Sequence, residues 1–119
     1  WPAIALTTDT SVLTAVGNDY GIEVLFARQV RALAKTGDVV IAFSTSGSSP
    51  SVIQGVVAAR HSGARTIGLT GQDGGRLAAL CDLAIRVPSR DTARVQECHI
   101  AISHAICEVV GVELRRNSD

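Results

Sequence analysis

Aromatic residues are scarce in this chain, at 3% of 119 positions, and so is net charge, with 11 basic residues against 11 acidic ones. The first shortage excludes a base-stacking platform, and the second argues against nucleic acid or an anionic membrane as the main partner. No apolar run is long enough to cross a bilayer. Lysine occurs once, as Lys35, so no glycine-rich loop here can be a Walker A nucleotide loop. Cysteine is limited to Cys81, Cys98 and Cys107, an odd set without metal or redox spacing. Their apolar neighbours predict free, buried thiols in a reducing cytoplasm. The pair Cys98-His99 carries less weight as metal ligands than as core packing.

What the chain does have is apolar bulk, 46% hydrophobic residues, enough for one domain with a core. Its most informative stretch is Ser44-Thr45-Ser46-Gly47-Ser48-Ser49-Pro50. The preceding block, Val39 to Phe43, reads as a buried strand. The following residues Val52, Ile53, Val56, Val57 and Ala59 recur at helical spacing, with Pro50 suited to the first turn. A strand, a hydroxyl-rich loop and a helix N-terminus in succession form an anion site. Backbone N–H groups and the helix dipole face the ligand, and hydroxyls add neutral donors. Without GxGxxG or the Walker lysine, a small phosphorylated metabolite fits better than a nucleotide. A mere Ser/Gly turn is the plainer reading, and the placement between strand and helix argues against it.

Further elements follow the same alternation. A strand is expected over 2–6, and capping residues at 7–10 lead into a short helix that ends at the turn signal Gly17-Asn18-Asp19. An amphipathic helix runs from Ile22 to Ala34 with Arg28 and Arg31 outward. Strands are expected at 39–43, 65–70 and 82–87, with helices at about 49–62, at 77–81 and from about 92 to 114. Residues 1–114 read as one domain and 115–119 as a polar tail. The fold class is α/β: three layers, a parallel sheet covered by helices on both faces, flavodoxin- or Rossmann-like. Ligands of such sheets bind at the carboxyl ends of the strands, where the serine loop and the Gly71–Gly75 loop both lie. Because the chain opens at Trp1-Pro2 directly in a strand, sequence is expected upstream and the domain to be truncated at its N-terminus.

The last helix carries Gln96, Glu97, His99 and His104 among residues such as Val95, Ile100, Ile102, Ile106 and Val109. A helix this apolar is expected to be largely buried, with Glu97 and His99 on its wetter side. Gln96 and His104 lie eight residues apart, about 80° around the helix and ~12 Å along it, and could line one elongated pocket.

Together, the serine loop, the run Thr66-Ile67-Gly68-Leu69-Thr70-Gly71-Gln72-Asp73-Gly74-Gly75, the run Val87-Pro88-Ser89-Arg90-Asp91-Thr92-Ala93-Arg94-Val95-Gln96-Glu97-Cys98-His99, and Ala15-Val16-Gly17-Asn18-Asp19-Tyr20-Gly21 resemble the phosphoheptose isomerases. These belong to the sugar-isomerase (SIS) fold family, and the likeness spans essentially the whole chain. It implies conversion of sedoheptulose 7-phosphate to D-glycero-D-manno-heptose 7-phosphate, the entry to nucleotide-activated heptoses of lipopolysaccharide and other surface glycans. By match to the family motif, Ser44, Thr45, Ser46 and Ser49 would hold the phosphate, and Asn18 and Asp19 would reach the sugar hydroxyls. Gln96 and His104 would be the active-site glutamine and histidine, which in some members also bind zinc. The resemblance further implies a cytoplasmic homotetramer whose sites draw on more than one subunit.

Aldose–ketose exchange moves a proton between C1 and C2 through an enediol(ate), so an acid, a base and oxyanion stabilisation are required. Members of the family carry, upstream of the strand equivalent to Pro2–Leu6, a Gly-Asn-Gly-Gly-Ser loop and a helix with a histidine and the glutamate base. These 119 residues lack both. They are expected to form the C-terminal portion of an isomerase and not to turn over substrate alone. The alternative is a non-catalytic SIS module that binds a sugar phosphate or a replication initiator. A receiver-like domain is disfavoured because Asp9 is isolated and Lys35 sits at a helix end, and a flavin site is disfavoured by the lack of aromatics.

Overall fold

The computed structural model describes residues 2–116. Helix α1 (Thr10–Tyr20) is followed by a 3-10 turn (Ile22–Val24) and helix α2 (Leu25–Leu33). Then come strand β1 (Val39–Ser44), helix α3 (Pro50–His61), strand β2 (Arg65–Thr70), helix α4 (Gly75–Leu80), strand β3 (Leu83–Arg86) and helix α5 (Thr92–Arg116). The strands form one parallel sheet in the order β1-β2-β3. Val39 pairs with Arg65 through to Ser44 with Thr70, and Ile67 pairs with Leu83 through to Thr70 with Arg86. Each parallel step is bridged by a helix, as two like-directed strands require.

One face of the sheet is well covered. Ala42 of β1 packs with Val56 of α3 and Leu77 of α4, and Val52, Leu80 and Cys81 surround them. Gly68 belongs to this face: a Cβ there would lie 2.9 Å from the Cys81 sulfur. Small residues let α2 and α3 approach closely, with Ala27, Val30, Ala58, Ala59 and Ala64 in one buried cluster. The start of β3 is tied to β2 by Asp82, whose Oδ2 accepts from Thr66 N–H at 2.7 Å and Thr66 Oγ1–H at 2.9 Å.

The opposite face is covered by α5 only near the carboxyl ends of the strands. Val39, Ile41 and Phe43 stay exposed there, as does Leu83. The strand over 39–43, expected to be buried on both sides, is therefore buried on one. Helix α5 itself is also more exposed than its apolar sequence suggests. Val95 and His99 are its buried residues, whereas Ile100 is 59% and Val109 62% exposed. His99, expected on the wet side, is 5% exposed.

Three boundaries differ from expectation for identifiable reasons. Residues 2–6 form no strand: β-propensity produces one only where a ladder partner exists, and none of the described strands pairs with them. The segment is instead anchored at Leu6, whose carbonyl accepts from Gln29 Nε2 at 3.0 Å and whose side chain packs on the α2–α3 cluster. Helix α1 runs straight through Gly17-Asn18-Asp19, since a glycine inside a helix costs only about 1 kcal/mol. It stops at Gly21, whose φ of 91° suits glycine. Arg115 and Arg116, assigned to a tail, form the last turn of α5, where cations complement the helix dipole. Trp1 and positions 117–119 lie outside the described residues.

The thiols also depart from expectation. Cys98 and Cys107 are exposed on α5, and Cys81 is half-buried. Burial pushes the Cys81 thiol up from its ordinary pKa, against a lowering hydrogen bond with Thr66. Among the described residues, no helix is long and apolar enough to cross a membrane.

Candidate functional site

The carboxyl ends of β1 and β2 are stitched into one surface. Gly71 N–H donates to the Thr45 carbonyl at 3.0 Å, and Leu77 N–H to the Gly47 carbonyl at 2.9 Å. Gly47 turns the serine loop with φ 65°, and its N–H closes back on the Ser44 carbonyl at 3.0 Å. Its neighbours are backbone: a Cβ on Gly47 would sit 2.1 Å from the Gly74 oxygen. Only glycine meets both demands, so the loop's path is fixed by contact with the next loop.

Ser49 is the N-cap of α3, in an extended conformation, and makes no side-chain capping bond. Its Oγ lies 3.4 Å from Ser51 Oγ. Ser46 Oγ accepts from Ser48 N–H at 3.2 Å. Pro50 occupies the first helical turn, where its missing N–H costs nothing. The N-terminus of a twelve-residue helix thus opens beside several hydroxyls, with the dipole favouring negative charge.

Helix α5 closes the other side. Asp91 caps it, Oδ1 accepting from Ala93 N–H at 2.9 Å. Val95 packs where it would meet a Cβ on Gly71, and His99 Nε2–H donates to the Thr70 carbonyl at 3.2 Å. The His99 ring meets Phe43 edge-on, with centroids 5.9 Å apart.

Between loop and helix lies an open cleft of about 340 Å³, lined by Phe43, Ser44, Thr45, Ser46, Ser49, Gln96 and His99. The structure therefore brings together five expected site residues: Ser44, Thr45, Ser46, Ser49 and Gln96. Asn18, Asp19 and His104 do not line this cleft within one chain. Asn18 and Asp19 are exposed on α1, joined by Asn18 Nδ2 donating to Asp19 Oδ1 at 2.8 Å, and His104 is exposed two turns beyond Gln96.

Phe43 and His99 are lining residues that sequence reasoning missed. The available signal for His99 was its spacing of four from Val95, which puts both on one helix face.

Donors for a metal are few. Among the described residues, no group of three or more His, Cys, Asp or Glu side chains could hold an ion. Gln96 and His104, two groups on one helix, do not make a tetrahedral zinc site. Apart from Phe43, the cleft is lined by hydroxyl, amide and imidazole groups, chemistry suited to a phosphate and to sugar hydroxyls.

Phosphoheptose isomerase from Trichlorobacter lovleyi is 57% identical over 109 residues, covering 92% of this chain and 56% of the relative. That from Aliarcobacter butzleri is 57% identical over 113 residues, covering 95% and 60%. The chain thus spans less than two thirds of the length of these curated relatives. The solved phosphoheptose isomerase from Neisseria gonorrhoeae superposes with a TM-score of 0.90 at 50% identity, over 92% of this chain and 61% of that one. A phosphoheptose isomerase from Francisella tularensis gives 0.89 at 41% identity, over 92% and 59%. The family model described as SIS domain matches residues 1–71, more than half of the sequence. The chain belongs to the SIS domain family.

Proposed function

We propose that this chain forms the phosphate-gripping half of an aldose–ketose isomerase site that interconverts sedoheptulose 7-phosphate and D-glycero-D-manno-heptose 7-phosphate. The observation that carries it is the shared cleft, with Ser44, Thr45, Ser46 and Ser49 on one side and Gln96 on the other. High identity to proteins named phosphoheptose isomerase supports the choice of sugar.

In this reading the phosphate sits on the serine loop and the α3 N-terminus. Its binding energy is gained far from C1 and C2 and serves to orient them. The Gln96 amide donates to, or accepts from, the sugar oxygens as charge develops on the enediol(ate). The His104 imidazole is assigned to proton transfer, and Asn18 and Asp19 to sugar hydroxyls. Since these three residues lie away from the cleft of one chain, their roles require an assembled site. The homotetramer proposed for the protein would supply it. Its exposed apolar residues Ile100, Val109 and Val110 on α5 and Val39, Ile41 and Phe43 on β1 support such association. Zinc would need two donors beyond Gln96 and His104, so no step is assigned to it. The proposed setting is the cytoplasm, at the entry to heptose units of lipopolysaccharide or related glycans.

One observation favours a second reading. Among the described residues, no carboxylate lines the cleft of one chain, and a carboxylate is one of the usual bases for proton abstraction. A sugar-phosphate-binding SIS module would not need one. Thermal shift and turnover measured side by side separate the two. Sedoheptulose 7-phosphate should raise the melting temperature, ATP should not, and Ser46→Ala or Ser49→Ala should diminish the rise. Ligand-induced stabilisation with no turnover by the assembled protein would favour the binding module. A rise with ATP alone would overturn both.

A further inference from the structure

Helix α5 is held to the sheet at few points. Among its described residues, only Val95, 1% exposed, and His99, 5% exposed, are buried. Val95 contributes dispersion, which is directionless. The His99 N–H donated to the Thr70 carbonyl is directional and joins α5 to β2. Thr70 is itself fixed: it is fully buried, and its carbonyl also accepts from Val87 N–H at 2.9 Å. The next residue, Gly71, is bonded to Thr45 of the serine loop.

Gln96 lies three residues before His99, its neighbour on the helix surface. The Gln96 side chain is exposed at the cleft. Its place relative to the serine loop is consequently set by how α5 sits on the sheet.

We propose that His99 is a positioning residue: its Nε2–H bond to Thr70 fixes the roll of α5 and so holds Gln96 at the sugar end of the cleft. The bond also dictates the tautomer, with the proton on Nε2, because a carbonyl can only accept. This inference rests on the isomerase or sugar-phosphate reading for the identity of the ligand, but not for the geometry.

The test compares His99→Phe, which keeps a ring against Phe43 and removes the donor, with His99→Gln, which can restore an N–H. In the full chain, the side-chain amide resonances of Gln96 should shift in His99→Phe and return toward wild type in His99→Gln. Affinity for sedoheptulose 7-phosphate should fall roughly tenfold in His99→Phe, about the worth of one hydrogen bond, and recover in His99→Gln. Affinity for inorganic phosphate should stay within about twofold in both, because the serine loop is untouched. Equal losses for the two ligands, or unmoved Gln96 resonances in folded variants, would overturn the proposal. Nitrogen chemical shifts of the wild-type imidazole provide a check that needs no variant: a proton on Nδ1 alone would also overturn it. If the wild type fails to bind sedoheptulose 7-phosphate, the functional reading falls, while the Gln96 and tautomer measurements still decide the role of His99.

Discussion

Gly47 and Gly75 meet backbone to backbone: a Cβ on Gly75 would stand 2.4 Å from the Gly47 carbonyl oxygen. This contact joins the loop after β1 to the loop after β2 and leaves the serine loop only one path.

Substituting Gly47→Ala should therefore damage stability and binding together. The residue sits at φ 65°, which costs an L side chain roughly 1–2 kcal/mol. The methyl also runs into the Gly74 carbonyl, an overpacking of roughly 1–3 kcal/mol. Denaturant unfolding should show a loss of about 2–5 kcal/mol, with the phosphate-induced rise in melting temperature reduced as well. Unchanged stability would mean that the two loops are not packed as described.

Asp82 predicts an acid limb in stability. Hydrogen bonds from the Thr66 backbone and then its hydroxyl, with smaller help from Arg65 and Arg60, hold this carboxyl below its usual range. The folded state thus binds the proton more weakly than the unfolded chain, whose aspartate titrates at about 3.9. The stabilisation is complete above that pH and is lost as pH falls through the folded value. Urea midpoints followed from pH 6 to pH 2 should drop in this window. Asp82→Asn should be less stable at pH 7 and show a shallower drop on acidification. Parallel pH curves for the two proteins would exclude this assignment.

Much of the fold was legible because it rests on local patterns. The apolar block at 65–70 and the Ser49-Pro50 entry into α3 match the structure to the residue or nearly so. Gly63, at φ 77°, ends α3 as its place after the periodic run suggests. What failed depends on partners that a pattern does not contain. Residues 2–6 have strand propensity but no ladder among the described strands, and Gly17-Asn18-Asp19 has turn chemistry overridden by a helix already under way. The burial of α5 was overestimated for the same reason: apolar content shows that a face wants covering, without showing what covers it.

The site was half legible. A hydroxyl loop between a strand and a helix is a local motif, so the place of Ser44, Thr45, Ser46 and Ser49 at the strand ends, where they line the cleft, could be read from sequence. Gln96 fell within the resemblance. His99, although inside the same run, was expected on the wet side, because its bond to a strand carbonyl 29 positions earlier is a tertiary contact that the helix's own pattern does not contain.

The cysteines separate by reactivity. Cys98 and Cys107 are exposed, and Cys81 is half-buried with its thiol pushed up by desolvation. Iodoacetamide at pH 7.5 should modify the first two well before Cys81, as peptide mass mapping would show. Because the Cys81 pKa is raised on folding, its contribution to stability is present below the unfolded thiol value of about 8.5. It is lost as pH rises through the folded one. Cys81→Ser should flatten that alkaline limb. Labelling of Cys81 at the rate of Cys98 would contradict its burial.

His104 poses the sharpest test of the catalytic reading, since it stands outside the cleft of a single chain. If an assembled site brings it to the sugar, removing it should leave the phosphate grip intact. His104→Ala should then show the wild-type thermal shift with inorganic phosphate, because Ser44, Thr45, Ser46 and Ser49 are unaltered. Turnover of sedoheptulose 7-phosphate by the assembled enzyme should fall by roughly 10²–10⁴, the usual worth of a general acid or base. The separation matters because a merely structural histidine would lower both quantities or neither. Full activity in His104→Ala would remove the residue from proton transfer and pass that task to another group.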